Sequence, residues 1–253
     1  KYQSGNNIGN ITIYGSTFEN CQTLNGDGGA IFVCKEEHST SYDSNHTLAN
    51  YFNSSYCCYS RCSALGPENQ QVAGYGPVMF IFAKTIEIFY STAVKCPPEG
   101  QSYGAQFDLK SNTIRSSYIN STSGRSKYCC AMEYRNATSG YFKFQTFADL
   151  HGGFLTSFTD LEKTLDISYC NYINDEILNP DSDGGAFIYV RNCNVVISNF
   201  CFVDITIPEK FSFVFIPENK KLTITLKNSY LEKDLESHLN SVFQEGNSFY
   251  TEN

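Results

Sequence analysis

The residues best placed to do chemistry in this 253-residue chain are its cysteines. There are eleven, occurring singly or as doublets: Cys21, Cys34, Cys57, Cys58, Cys62, Cys96, Cys129, Cys130, Cys170, Cys193 and Cys201. No C-x-x-C is present. Cys58 and Cys62 form a C-x-x-x-C without a second pair at finger spacing, and His38, His46, His151 and His238 are scattered. That pattern gives no metal site and no cofactor. So many thiols without a metal or redox motif point to an oxidising compartment. An odd number leaves at least one thiol free or paired outside the chain. The sequon N-x-[ST] recurs at Asn10, Asn45, Asn53, Asn120 and Asn136, the expected glycosylation positions of a secreted or cell-surface protein.

Acid chemistry has weaker support. Asp27 and Asp183 recur at matching glycine corners but belong to distant parts of the chain. Asp181 and Asp183 are two residues apart and could share a face, as a glycosidase acid and base require. The stretch Asn179-Pro180-Asp181-Ser182-Asp183-Gly184 reads more simply as a turn. His151 stands alone before Gly152-Gly153. No catalytic residue is therefore expected. With 18 Lys+Arg against 26 Asp+Glu and a net charge of −8, no basic footprint for nucleic acid exists. No apolar run is long enough to span a membrane as a helix. The sequence opens on Lys1 and polar residues without a signal peptide, as in a mature form or a piece of a longer chain.

The elements that must position these residues are short strands in a repeat. A small-residue corner is followed by an apolar strand, a polar turn and a second alternating strand. The first strands begin at Val78, Ala105, Ala131, Phe154, Ala186 and Phe213, after an earlier one at Ala30. From Val78 onward the gaps are 27, 26, 23, 32 and 27 residues. Partner strands include Ile11-Thr12-Ile13, Ile86-Glu87-Ile88, Phe142-Lys143-Phe144, Leu165-Asp166-Ile167 and Val195-Val196-Ile197. Leucine-rich, helical and propeller repeats do not fit this unit; a right-handed parallel β-helix solenoid does. Roughly eight coils spaced about 4.8 Å apart make a rod on the order of 40 Å long. A β-sandwich is the alternative, but it does not require corners in phase with strands. The β-helix is assigned to residues 1–228.

Residues 229–253 read as a C-terminal helical cap. Ser229-Tyr230-Leu231-Glu232 is a capping-box sequence, and Leu231, Leu235, Leu239 and Val242 share one helical face. In a coiled stack, like positions stand within disulfide range. Cys62 could then pair with Cys21 or with Cys96, and Cys170 with Cys201. Tyr14, Tyr90 and Tyr118 fall on the outer ladder.

The segment from Phe18-Glu19-Asn20-Cys21 to Gly28-Gly29-Ala30-Ile31 resembles the F-x-N-C and GGAI unit of repetitive surface proteins. These are of the pectin-lyase-like β-helix class: polymorphic outer-membrane-protein-type repeats and protist surface proteins. Gly184-Gly185-Ala186-Phe187 resembles the second half of the unit again. The resemblance implies an extracellular, glycosylated or disulfide-bonded module, structural or adhesive and part of a larger chain or filament. Its partners would be other protein chains, including copies of itself, or glycans. The alternative is a polysaccharide-binding or polysaccharide-degrading protein on the same scaffold.

Overall fold

The computed structural model describes residues 9–24, 26–34, 49–65, 75–97, 104–126, 129–162, 165–178, 186–208, 211–215, 223–231 and 248–252. Among them every regular element is a strand, and every strand pairing is parallel. Twenty-one strands make one sheet, with two further two-stranded pairs beside it. The sheet curls around a shared apolar core.

The strand Met79–Val94 shows the path. Met79–Phe82 lies against Phe107–Lys110, and Ile31–Val33 lies on the other side. Thr85–Phe89 pairs with Tyr51–Ser55 and Thr113–Ser117. After a left-handed residue at Tyr90, Thr92–Val94 pairs with Cys58–Ser60 and Asn120–Thr122. One strand thus serves three faces. Its sequence allows this because Ile86 and Ile88 point inward while Glu87 points out, the two-residue period of a half-buried strand.

Parallel register sets equivalent side chains over one another. One inward row runs Ile88, Ser116, Phe142, Ile167, Ile197. Another runs Tyr59, Ala93, Ser121, Phe147, Tyr172, Phe202. The rings of Tyr172 and Phe202 stack at 5.2 Å, and Phe202 meets Phe213 edge-on at 4.9 Å. Each fully buried Phe contributes about 1.5–3 kcal/mol of transfer free energy. Hydroxyls inside this core find one another: Ser54 with Tyr59 at 2.7 Å, Thr156 with Tyr172 at 2.7 Å, and Ser116 with Tyr134. Burial pushes the Tyr59 and Tyr134 phenols well above their ordinary range, so both stay protonated.

The Gly28-Gly29 corner uses its two glycines differently. Gly28 has φ +69°, which favours glycine, while a Cβ on Gly29 would lie 2.2 Å from the Pro77 carbonyl. One supplies a conformation and the other a missing side chain.

The expected C-terminal helix is not seen. Tyr230–Leu231 is a strand on Cys201–Phe202, and Ser248–Glu252 is a strand on Thr223–Lys227. The rest of the helix lies at 232–247, outside the described residues. The capping-box serine has other work. Ser229 Oγ accepts from the Phe200 N–H at 3.1 Å and donates to the Lys227 carbonyl at 2.9 Å. A side chain spent on two neighbouring strands does not cap a helix.

Candidate functional site

Among the described residues, seventeen non-glycine positions hold positive φ, and they fall into rows at the corners. One row runs Gly15, Tyr56, Tyr90, Tyr118, Phe144, Tyr169, Asn199 and Asn228, each bonded to the next level through its backbone. Left-handed backbone suits Gly and Asn but costs Tyr or Phe on the order of 1–2 kcal/mol each. The five aromatic members recover this by stacking. Tyr56–Tyr90 lie 4.8 Å apart at 10°, Tyr90–Tyr118 4.7 Å at 3°, Tyr118–Phe144 5.0 Å at 7°, and Phe144–Tyr169 5.1 Å at 12°. Such pairs contribute about 0.5–1.5 kcal/mol each beyond area burial. Tyr14 closes one end, tilted 59° against Tyr56. The five stacked rings are each 41–52% exposed, so this is an aromatic ridge on the surface. Tyr14, Tyr90 and Tyr118, expected on an outer ladder, belong to it.

Beside the ridge lies a shallow groove formed by Phe89, Tyr141 and Lys143 with the rings of Tyr90, Tyr118 and Phe144. Charge on this face is paired across levels. Arg115 donates to Glu87 at 2.7 Å, Tyr51 donates to Glu87 at 2.5 Å, and Lys143 pairs with Asp166. Burial first, then the Glu87 carboxylate, pushes the Tyr51 phenol up. Lys143 also sits 5.8 Å from the Tyr141 ring centre.

The second charged feature is buried. Asp108, Glu133 and Arg135 project from the adjacent strands Phe107–Lys110 and Cys129–Arg135, with Glu133 level with Asp108. Arg135 donates to Asp108 and meets Glu133 at 3.1 Å, and the ring of Tyr75 lies 5.9 Å from its guanidinium. Burial pushes the Asp108 carboxyl up, against the pull of Arg135. Next to it opens a groove of about 360 Å³ where Arg191 pairs with Asp160 at 3.2 Å. Asp108 is fully buried and both acids are engaged by Arg135, so neither presents a free carboxyl to the groove. The chain order hides this cluster, because its members are 25 and 27 residues apart. The available signal was a charge at the outward position of two otherwise apolar strands, in phase.

At a second corner Cys21, Cys62 and Cys96 fall in one row. Gln22 is level with Ser63, and Ser60 with Val94, which puts each cysteine over the next. Cys62 and Cys96 are fully buried, and Cys21 is half-buried. The Cys62 N–H donates to Cys96 Sγ at 3.2 Å. Farther along the same row Asp175 is buried, its Oδ1 accepting from the Leu150 N–H at 2.8 Å. Cys170 and Cys201 are not in one row. Cys201 is level with Asn171, while Cys170 faces the core one position earlier.

The remaining sequence-expected residues divide by exposure. Asn10, Asn120 and Asn136 are exposed, Asn53 is half-buried with its Oδ1 accepting from Ser55 at 2.9 Å, and Asn45 lies outside the described residues. Asp27 accepts from the Tyr75 N–H at 2.9 Å. Asp181 and Asp183 lie outside the described residues. His151 Nδ1 is 2.8 Å from Glu176. Among the described residues no group of three metal-ligating side chains converges, and no helix is long and apolar enough to cross a membrane.

No family model matches the chain, and neither does any curated protein or solved structure.

Proposed function

We propose that this chain is a right-handed parallel β-helix of about eight coils that works as a non-catalytic structural or adhesive module outside the cell or on its surface. On this reading it would stand beside the pectin-lyase-like surface repeats that its GGAI unit resembles. The unbroken exposed row from Tyr56 to Tyr169 carries the reading. Strained corners filled with stacked rings form a rigid contact surface that loses little side-chain freedom on binding. Its partners would be glycans or other protein chains, copies of itself included. The level-by-level register supports the coil, and the exposed sequons Asn10, Asn120 and Asn136 support a glycosylated exterior.

The test compares the native chain with a Tyr56→Asn, Tyr90→Asn, Tyr118→Asn variant. Retention on immobilised polygalacturonate, xylan and chitin is measured, together with self-association by sedimentation velocity. Retention or association lost in the variant, with the fold intact by circular dichroism, is expected. Equal behaviour of both proteins overturns the ridge as the working surface.

The alternative reading is polysaccharide binding or degradation on the same scaffold; of the two acids beside the Arg191 groove only Glu133 lines it, and Arg135 holds it. Release of reducing ends that stops in Glu133→Gln would favour degradation over the structural module.

A further inference from the structure

We propose that Cys21, Cys62 and Cys96 form an in-line thiol–disulfide exchange site. It takes oxidising equivalents from a low-molecular-weight disulfide at half-exposed Cys21 and stores them as a buried Cys62–Cys96 bond. This goes beyond the adhesive reading and does not depend on it.

Three observations lead there. First, parallel register places the three residues on successive levels, about 4.8 Å apart, within the Cα range that a disulfide spans. Second, the three thiols share one local geometry. Each reaches toward the carbonyl two residues earlier: Cys21 to Glu19 at 3.8 Å, Cys62 to Ser60 at 3.5 Å and Cys96 to Val94 at 3.3 Å. Side chains oriented alike on stacked levels set the sulfurs in a line, with Cys62 between the other two. Cys62 is tied to both neighbouring levels: its N–H donates to Cys96 Sγ at 3.2 Å, and its own Sγ reaches the Phe18 carbonyl, on the level of Cys21, at 3.6 Å. Third, access is graded along the line. Cys21 is half-buried, and the two inner cysteines are fully buried.

Exchange at sulfur proceeds by attack along the axis of the bond that breaks, so a line of three sulfurs is the required arrangement. The Cys21 thiolate attacks an external disulfide RSSR, forming Cys21–S–SR and releasing one thiolate RS⁻. Cys62 then attacks Cys21 Sγ, forming the Cys21–Cys62 disulfide and releasing the second RS⁻. Cys96 finally attacks Cys62 Sγ from the side opposite Cys21. The Cys62–Cys96 bond forms and Cys21 leaves as thiolate. In sum, RSSR is reduced to two RSH while the thiols of Cys62 and Cys96 are oxidised by two electrons. The contact between them pushes the Cys62 thiol up and holds Cys96 below the ordinary thiol value, and burial pushes Cys21 up, so the first two attacks are the slow ones and Cys96 is the readiest nucleophile. Burial shields the final bond from outside thiols, whereas Cys21–Cys62 stays open to return attack.

The experiment starts from the reduced chain, freed of reductant and exposed to oxidised glutathione at neutral pH. Samples are acid-quenched and alkylated, and their disulfides are mapped by mass spectrometry over time. A Cys21–glutathione adduct and then a Cys21–Cys62 bond should precede Cys62–Cys96. Cys62→Ser should stop at the adduct, and Cys96→Ser at Cys21–Cys62. Cys21→Ser, a substitution at the half-exposed position, should slow formation of Cys62–Cys96 by about tenfold or more, because the buried thiols cannot meet glutathione directly. Formation at the native rate in Cys21→Ser overturns the proposal. So does an unresolved Cys21 adduct in the native chain. Should Cys62→Ser fail to fold, the order of species in the native chain decides by itself: Cys62–Cys96 appearing first overturns the relay.

Discussion

Replacing Asp175 by Asn tests whether the corner row is as dry as the structure has it. The Asp175 carboxyl is 1% exposed, and burial raises its pKa from an ordinary 3.8 to about 7, against the pull of the Leu150 and Ile173 N–H groups. Its Oδ2 has no hydrogen-bond partner among the described residues. The folded chain therefore holds a proton that the unfolded chain gives up between these two values. The stability this group contributes is fully present below pH 3.8 and is lost as pH rises to about 7. At about 1.4 kcal/mol per pH step, the loss has a ceiling of about 4 kcal/mol. Asn cannot ionise but can still accept from Leu150. Its amide adds a roughly constant cost of about 1–3 kcal/mol for a buried donor without a partner. The informative quantity is thus a slope and not an offset. Urea unfolding followed by far-UV circular dichroism, at intervals from pH 4 to pH 8.5, should show the stability of Asp175→Asn rising relative to the native chain. The rise should fall between pH 4 and 7 and level off above. Asp108 titrates in both proteins and cancels in the difference. Parallel curves across this window would refute a buried, proton-holding Asp175.

Removing the Arg135 guanidinium by Arg135→Ala leaves Asp108 and Glu133 buried beside each other without their cation; a loss of about 3–5 kcal/mol in urea unfolding is expected. Gly140→Ala should abolish folding or shift the thermal midpoint by many degrees. Gly140 has φ +141°, and a Cβ there would lie 1.7 Å from the Ile114 carbonyl oxygen. Tyr118→Asn should change stability by less than about 1 kcal/mol, because relief of left-handed strain offsets two lost stacking pairs. Thermal unfolding checks it, and a large loss would mean that the ring is worth more than its strain.

The strands were legible because one rule governs them: alternation such as Ile86-Glu87-Ile88 buries one face, and its recurrence every 23 to 32 residues announces stacked levels. The thiol row was also within reach, since Asn20-Cys21 and Arg61-Cys62 end matching strands in matching ways. Of the aromatic row, Tyr14, Tyr90 and Tyr118 were legible as an outer ladder, but its left-handed backbone was not. Tyr and Phe have no intrinsic preference for positive φ, so nothing local marks Tyr90 or Phe144 as a corner. Only the ring on the next level makes the conformation tolerable. The ion cluster was hidden for the same reason, its partners being neighbours across levels and not along the chain. The start of the C-terminal stretch departs in the opposite sense. Ser229, Tyr230 and Leu231, which open the expected helix, are taken by sheet partners instead, while the rest of that stretch, 232–247, lies outside the described residues.

The stacked rings from Tyr56 to Tyr169 also make the protein its own optical gauge. The chain has no tryptophan, so its near-ultraviolet dichroism comes chiefly from tyrosine. Chromophores 4.7 to 5.1 Å apart in nearly parallel planes couple their transitions, which yields a signal that isolated rings do not give. Slippage between any two neighbouring levels would cut that coupling at one place. Loosening along the molecule's length could then be followed by light alone, without an attached label.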